Sequence, residues 1–157
     1  MSSVELSAEN VEPPSWLPDV DRVVSAVCER LGVDSYSISV LLCSEGRIRE
    51  LNRAYRNRDE ATDVLTFSRN DGERFPGEEP AMVAGDIVIA PTIVESNARE
   101  YGVERSEECV RVFVHSLLHL CGHTHNGVKM GEVGWESDPM LVLQEELVRD
   151  LAKERMF

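Results

Sequence analysis

Apolar residues recur along the chain in two rhythms, and each switch between them marks a new element. Val20, Val23, Val24, Val27 and Leu31 repeat at three- and four-residue spacing, which places them on one face of a helix. Pro18 suits its first turn and Gly32 its end. Tyr36, Ile38 and Val40 then alternate with Ser37 and Ser39, the two-residue period of a half-buried strand. Helical spacing returns over Gly46–Tyr55 through Ile48, Leu51, Ala54 and Tyr55. Short β-branched runs at Val64–Phe67 and Asp86–Ala90 predict two more strands, and residues 69–82 between them, with two Gly and two Pro, predict a loop. Pro91 opens a helix reaching Tyr101, Glu104 opens a longer one reaching Cys121, and Ser137 ahead of Asp138-Pro139 is an N-cap for the last. In that last helix Met140, Leu143, Leu147 and Leu151 read as the core stripe, with Gln144-Glu145-Glu146 on the solvated side. Residues 1–16 are polar, acidic and aperiodic and read as a loosely held tail, leaving 17–157 as a single domain. Helices and strands mix without a strict βαβ order, so the expected class is α+β, a small mixed β-sheet with surrounding helices.

Composition narrows the class. A chain of 157 residues, 42% apolar and 29% charged, builds one compact core and is not a disordered polymer. No apolar run approaches the ~20 residues of a bilayer span, and the N-terminal residues show no signal-peptide pattern. The expectation is a cytoplasmic protein with no membrane partner. Cys28, Cys43, Cys109 and Cys121 are widely spaced with no CxxC pair, which predicts buried small hydrophobes. The net charge of −13 excludes a protein that coats nucleic acid by neutralising many phosphates. It leaves room for a local basic site: of 16 basic residues 14 are arginine, and five of those lie between Arg47 and Arg58.

The chemistry concentrates in one window, where all four histidines fall between His115 and His125. His115 and His119 are four apart on a helix and stack on one face, within reach of a common ion. Gly122 can end the helix and turn the chain, bringing His125 from another direction. Val110, Phe113, Val114, Leu117, Leu120 and Cys121 make the rest of that helix apolar, leaving a narrow imidazole line flanked by Arg111 and Val112. A helix so patterned is central, and its histidines line a cleft. Three imidazoles suit zinc, while nickel or copper would also accept them. His123 has the weaker claim and reads as a surface or outer group, and Cys121 lies on the apolar side.

The pattern HxxxHxxGxxH resembles the zinc motif of metzincin peptidases, but Ser116 stands where those carry their general-base Glu. A closer resemblance is to the YbeY family of bacterial endoribonucleases. His115, Leu118, His119, Leu120, Gly122 and His125 coincide with its signature. So do Leu51-Asn-Arg-Ala-Tyr-Arg56 with Asp59 and Thr62–Phe67, and Gly85-Asp-Ile-Val-Ile89. Ser116 replaces the usual Gly, and Thr124 the usual Asp beside the third histidine. The resemblance implies a small α+β catalytic domain holding one zinc ion on His115, His119 and His125. It also implies single-strand RNA cleavage in maturation of small-subunit ribosomal RNA and in ribosome quality control.

Arg49, Arg53 and Arg56 share a helix face, with Arg58 just beyond. Pairing with Glu45, Glu50, Asp59 and Glu60 competes with any function for Arg49 and Arg58. The resemblance gives Arg56 a catalytic place, and Arg53 and Arg56 are the nucleic-acid-binding candidates, since a guanidinium fork suits phosphodiester oxygens. The acidic chain further predicts delivery to the small ribosomal subunit by a ribosomal or assembly protein with a basic face. Thr62, Asp63, Thr66 and Asp86, at strand ends, either shape the cleft or serve turns and caps. Two other functions stand beside the nuclease: a metal-dependent hydrolase of another substrate such as a peptide, and a non-catalytic assembly factor with structural zinc.

Overall fold

The computed structural model describes residues 2–12, 14, 19–69, 82–122 and 138–153. Four strands and five helices run β1 (Ser3–Glu9), α1 (Val20–Arg30), β2 (Ser35–Cys43), α2 (Glu45–Arg56), β3 (Val64–Ser68), β4 (Met82–Ile89), α3 (Pro91–Tyr101), α4 (Arg105–Leu120) and α5 (Pro139–Lys153). The sheet order is β1-β2-β4-β3, with β1 and β4 parallel to β2 and β3 antiparallel to β4. This is the mixed sheet and α+β class that the alternating rhythms predict.

One expectation fails. Ser3–Glu9 is a strand, not a tail, pairing with β2 from Ser3↔Ser37 to Glu9↔Cys43. It is an edge strand with mostly exposed side chains, so backbone bonds to β2 hold it rather than an apolar face, and such bonds leave little periodicity to read. β4 also starts earlier than its β-branched run, at Met82. Ser137 and Pro18 lie outside the described residues. The cap of α5 is Asp138, fully buried, whose Oδ1 accepts from the Met140 and Leu141 amides at 3.0 and 3.4 Å.

The register sorts the two faces of the sheet. Tyr36, Ile38, Val40 and Leu42 of β2 share a face with Val83, Gly85, Ile87 and Ile89 of β4 and with Val64 and Thr66 of β3. That face carries the main core, built with Val24 and Val27 of α1, Val94 of α3, Phe113 and Leu117 of α4 and Leu147 and Leu151 of α5. Leu41, Cys43, Val88, Leu65 and Phe67 point the other way and form a smaller cluster with Ile48 and Leu51 of α2. β3 is therefore an edge with α4 on one side and α2 on the other. All four cysteines are buried, and burial together with the neighbouring Cys121 pushes the Cys28 thiol up to about 12.

Candidate active site

α4 is buried almost all round. Between Arg111 and Leu120 only Arg111, His115 and His119 are half-exposed, at a strict four-residue interval. The two imidazoles meet edge to face, centroids 4.6 Å apart at 79°, with their Nε2 atoms 3.1 Å from each other.

The protonation of this pair follows from its neighbour on α5. Gln144 is buried, and its side-chain nitrogen donates to Glu145 Oε2 at 3.1 Å. A carboxylate only accepts, so the amide nitrogen must face Glu145 and the amide oxygen must face His115. That oxygen lies 2.6 Å from His115 Nδ1. His115 therefore carries a proton on Nδ1, and in the neutral ring its Nε2 presents a lone pair toward His119. Two nitrogens in this relation either share a proton or present two lone pairs to one cation. The donor set fits a borderline-soft divalent ion. His123 and His125 lie outside the described residues, and among those described no cluster of three or more His, Cys, Asp or Glu is placed to hold a metal.

The polarity of Gln144 predicts a place on the solvated side of α5, but the residue is only 3% exposed. Helical spacing puts it one turn after Met140, on the α4 side, and polarity alone could not distinguish a buried amide with partners from a wet one. Behind it, Arg111 donates through Nε and a terminal nitrogen to both oxygens of Glu145, at 2.9 and 3.0 Å. The same guanidinium meets Glu108 at 2.9 Å and Glu107 at 3.3 Å. Burial would lower the Arg111 pKa, but its bonds to Glu145 and Glu108 outweigh this and raise it, so it stays charged. Burial lifts the Glu108 carboxyl above its usual range despite the opposing pull of Arg111. Ser116 is buried and donates to the Val112 carbonyl at 2.8 Å. Cys121 is in the core.

The arginines occupy the other side of β3. Ser44 caps α2 by accepting from the Arg47 amide at 3.2 Å, and Asn57 ends it in the left-handed region at φ 59°. Arg49 bonds Asp59 at 2.8 Å, and that bond holds the carboxyl below its usual value. Arg58 pairs with Glu60 at 3.6 Å, and Arg47 with Glu9 and Glu50 at 3.3 and 3.2 Å. Arg56 differs: its guanidinium donates to the Thr66 carbonyl and lies 5.1 Å from the Phe67 ring centre, with no carboxylate partner among the described residues. Arg53 is exposed and adds its positive field at Asp59. The histidines and Arg56 thus share no face. They approach the same edge strand from opposite sides of the sheet.

The remaining strand-end residues hold backbone and side chain together. The Asp63 carbonyl accepts from the Ala90 amide at 2.9 Å, with Thr62 donating to the Asp63 side chain at 3.3 Å. Asp86 accepts from Ser39 at 2.6 Å and faces Arg69 at 3.7 Å.

The α+β sheet carries paired helical imidazoles on one flank of its edge strand and an arginine on the other, and comparison with known proteins places this arrangement in a family. The model of the family Endoribonuclease YbeY matches residues 3–152. Relatives named Endoribonuclease YbeY include one from Treponema denticola, 36% identical over 141 residues, covering 88% of this chain and 87% of its own. Another, from Treponema pallidum, is 35% identical over 149 residues, with 94% and 89% covered. One from Borreliella burgdorferi is 33% identical over 153 residues, with 95% of both chains covered. A solution structure of a Thermotoga maritima protein superposes with a TM-score of 0.60 at 26% identity, covering 98% of this chain and 92% of that one. The chain belongs to the Endoribonuclease YbeY family.

Proposed function

We propose that this protein is a zinc-dependent endoribonuclease that cuts single-stranded RNA during maturation of small-subunit ribosomal RNA and in ribosome quality control. The observation that carries the reading is the 3.1 Å approach of the His115 and His119 Nε2 atoms, in a chain matched by the endoribonuclease family model. His115, His119 and His125 would hold one zinc ion. Bound there, the ion would supply Lewis acidity toward a phosphodiester and toward water.

The chain's own groups prepare that site. Gln144 keeps the His115 proton on Nδ1 and so frees Nε2 for ligation, while Arg111 and Glu145 stop the amide from turning. Arg56 is the catalytic cation: its charge is permanent near neutral pH, and from the open edge of β3, where it donates to the Thr66 carbonyl, it would reach round the strand to the non-bridging phosphate oxygens as negative charge builds on them. One well-placed donor contributes roughly 3 kcal/mol to such a transition state. Arg53, one turn earlier, takes an adjacent phosphate. Ser116 offers no carboxylate in place of a peptidase's base, and its hydroxyl is already committed to Val112, so peptide hydrolysis by that route is disfavoured.

The net charge of −13 works against free RNA at long range. We place the protein in the cytoplasm, brought to the small ribosomal subunit by a basic ribosomal or assembly protein. No helix among the described residues is long and apolar enough to cross a membrane.

The test is cleavage of a labelled single-stranded RNA by metal-loaded protein, by chelated protein and by His119→Ala. Cutting by the loaded wild type alone is expected. RNA binding with stoichiometric zinc but no cutting would instead make it an assembly factor with a structural ion, and cutting by the metal-stripped protein would remove the metal from the reaction.

A further inference from the structure

Four large apolar side chains are exposed among the described residues: Leu6, Tyr55, Met82 and Tyr101. Tyr55, at 69%, is the most exposed of them, and it does not stand alone. Its ring meets the edge of Phe67 with centroids 5.5 Å apart at 69°, and the Arg56 guanidinium lies over that same Phe67 ring. Phe67 in turn packs on the small core of Ile48, Leu65 and Val88, so the aromatic pair has a firm seat. Arg56 is steadied by the Thr66 carbonyl rather than by an acid, which leaves its charge uncancelled beside the tyrosine.

We infer that Tyr55, Phe67 and Arg56 form a nucleobase-stacking subsite for single-stranded RNA at the outer edge of β3. The inference rests on the endoribonuclease reading and extends it to how the substrate is gripped. An exposed aromatic face accepts any base, and adjacent guanidinium groups accept the phosphates on either side of it. Tyr101 shows what the alternative looks like. It is also exposed, but beyond partial burial its phenol feels Glu100, Glu108 and Asp63, which outweigh the opposing Arg111 and raise its pKa, and no second ring or unpaired arginine is seen beside it among the described residues. Among the described residues only Tyr55 combines exposure, a second ring and arginines.

A stacking platform also resolves a difficulty set by composition. With a net charge of −13 the chain cannot rely on charge neutralisation for affinity. Stacking is insensitive to net charge, so it supplies affinity where Coulomb attraction is weak. If only Arg53 and Arg56 meet phosphates, log Kd should vary with log salt at a slope of only about 1.4, from roughly 0.7 for each single-strand phosphate.

The test is fluorescence anisotropy on the full chain in chelator, so that nothing is cut, with two labelled single strands of equal length, one bearing bases and one abasic. Tyr55→Ala should bind the base-bearing RNA about tenfold more weakly and the abasic strand unchanged. Tyr55→Trp should bind as tightly as wild type, with its indole emission quenched by the base-bearing RNA only, and Tyr101→Ala should match wild type on both strands. Equal affinity of wild type and Tyr55→Ala for the base-bearing RNA would overturn the subsite, as would a wild type that does not distinguish the two strands. A metal-loaded wild type that neither binds nor cuts any RNA would instead bring down the endoribonuclease reading beneath it.

Discussion

His115 Nδ1 and Gln144 Oε1 are 2.6 Å apart, a bond that joins α4 to α5 and decides which imidazole nitrogen carries the proton. Groups that orient a metal-binding histidine commonly change metal affinity ten- to a hundredfold when removed. Gln144→Ala should therefore weaken zinc binding by about tenfold or more, read by competition against a coloured chelator. Wild-type affinity in Gln144→Ala, with its circular dichroism intact, would show that the amide does not hold the ring.

Much of this arrangement is legible in the chain, and the parts that are not share a cause. The imidazole line of α4 is visible because apolar residues occupy every other direction around it. Gln144 is hidden because burial of an amide depends on a partner 29 residues away, and polarity suggests the opposite. The same holds for β1, whose place is set by backbone pairing with β2 and not by an apolar face. The arginine face of α2 can be read at helical spacing, but not which guanidinium is neutralised. That depends on where Asp59 and Glu60 fold back.

Arg111 and Glu145 form a two-bond clasp between α4 and α5, with side chains only 17% and 14% exposed. Removing one partner of a largely buried pair strands the other, at a typical cost of 3–5 kcal/mol, whereas replacing both with apolar groups costs far less. Arg111→Met should lose about 3 kcal/mol in urea unfolding, and Arg111→Met with Glu145→Met should recover part of it, the rest reflecting the bonds that Glu108 and Gln144 also lose. Additive losses in the double variant would show that the two side chains do not act as a unit.

Gly85 lets α4 approach the sheet where β4 pairs with the edge strand β3. A Cβ there would sit 2.5 Å from Leu120 Cδ2 and 2.8 Å from the Phe67 carbonyl oxygen. The leucine could shift, but the carbonyl belongs to β3 and cannot. Gly85→Ala should cost roughly 1–3 kcal/mol and, because Leu120 follows His119, should also weaken zinc binding. An unchanged unfolding midpoint would mean that β3 and β4 separate more freely than their pairing implies.

Glu108 sets a pH dependence whose sign can be worked out. Burial lifts its folded-state carboxyl above the ordinary 4.5, and the bond to Arg111 only partly offsets this. A group with a raised folded pKa favours folding while protonated, so its contribution is complete below about pH 4.5 and fades as pH rises through the folded value. Glu108→Gln keeps the shape but does not titrate, and Arg111 retains Glu145 and Glu107 as partners. The stability of wild type minus that of Glu108→Gln, from paired urea titrations, should therefore decrease between pH 4 and pH 7. A difference that grows with pH would mean that Arg111 stabilises the ionised carboxylate by more than burial destabilises it, reversing the balance assigned to this pair.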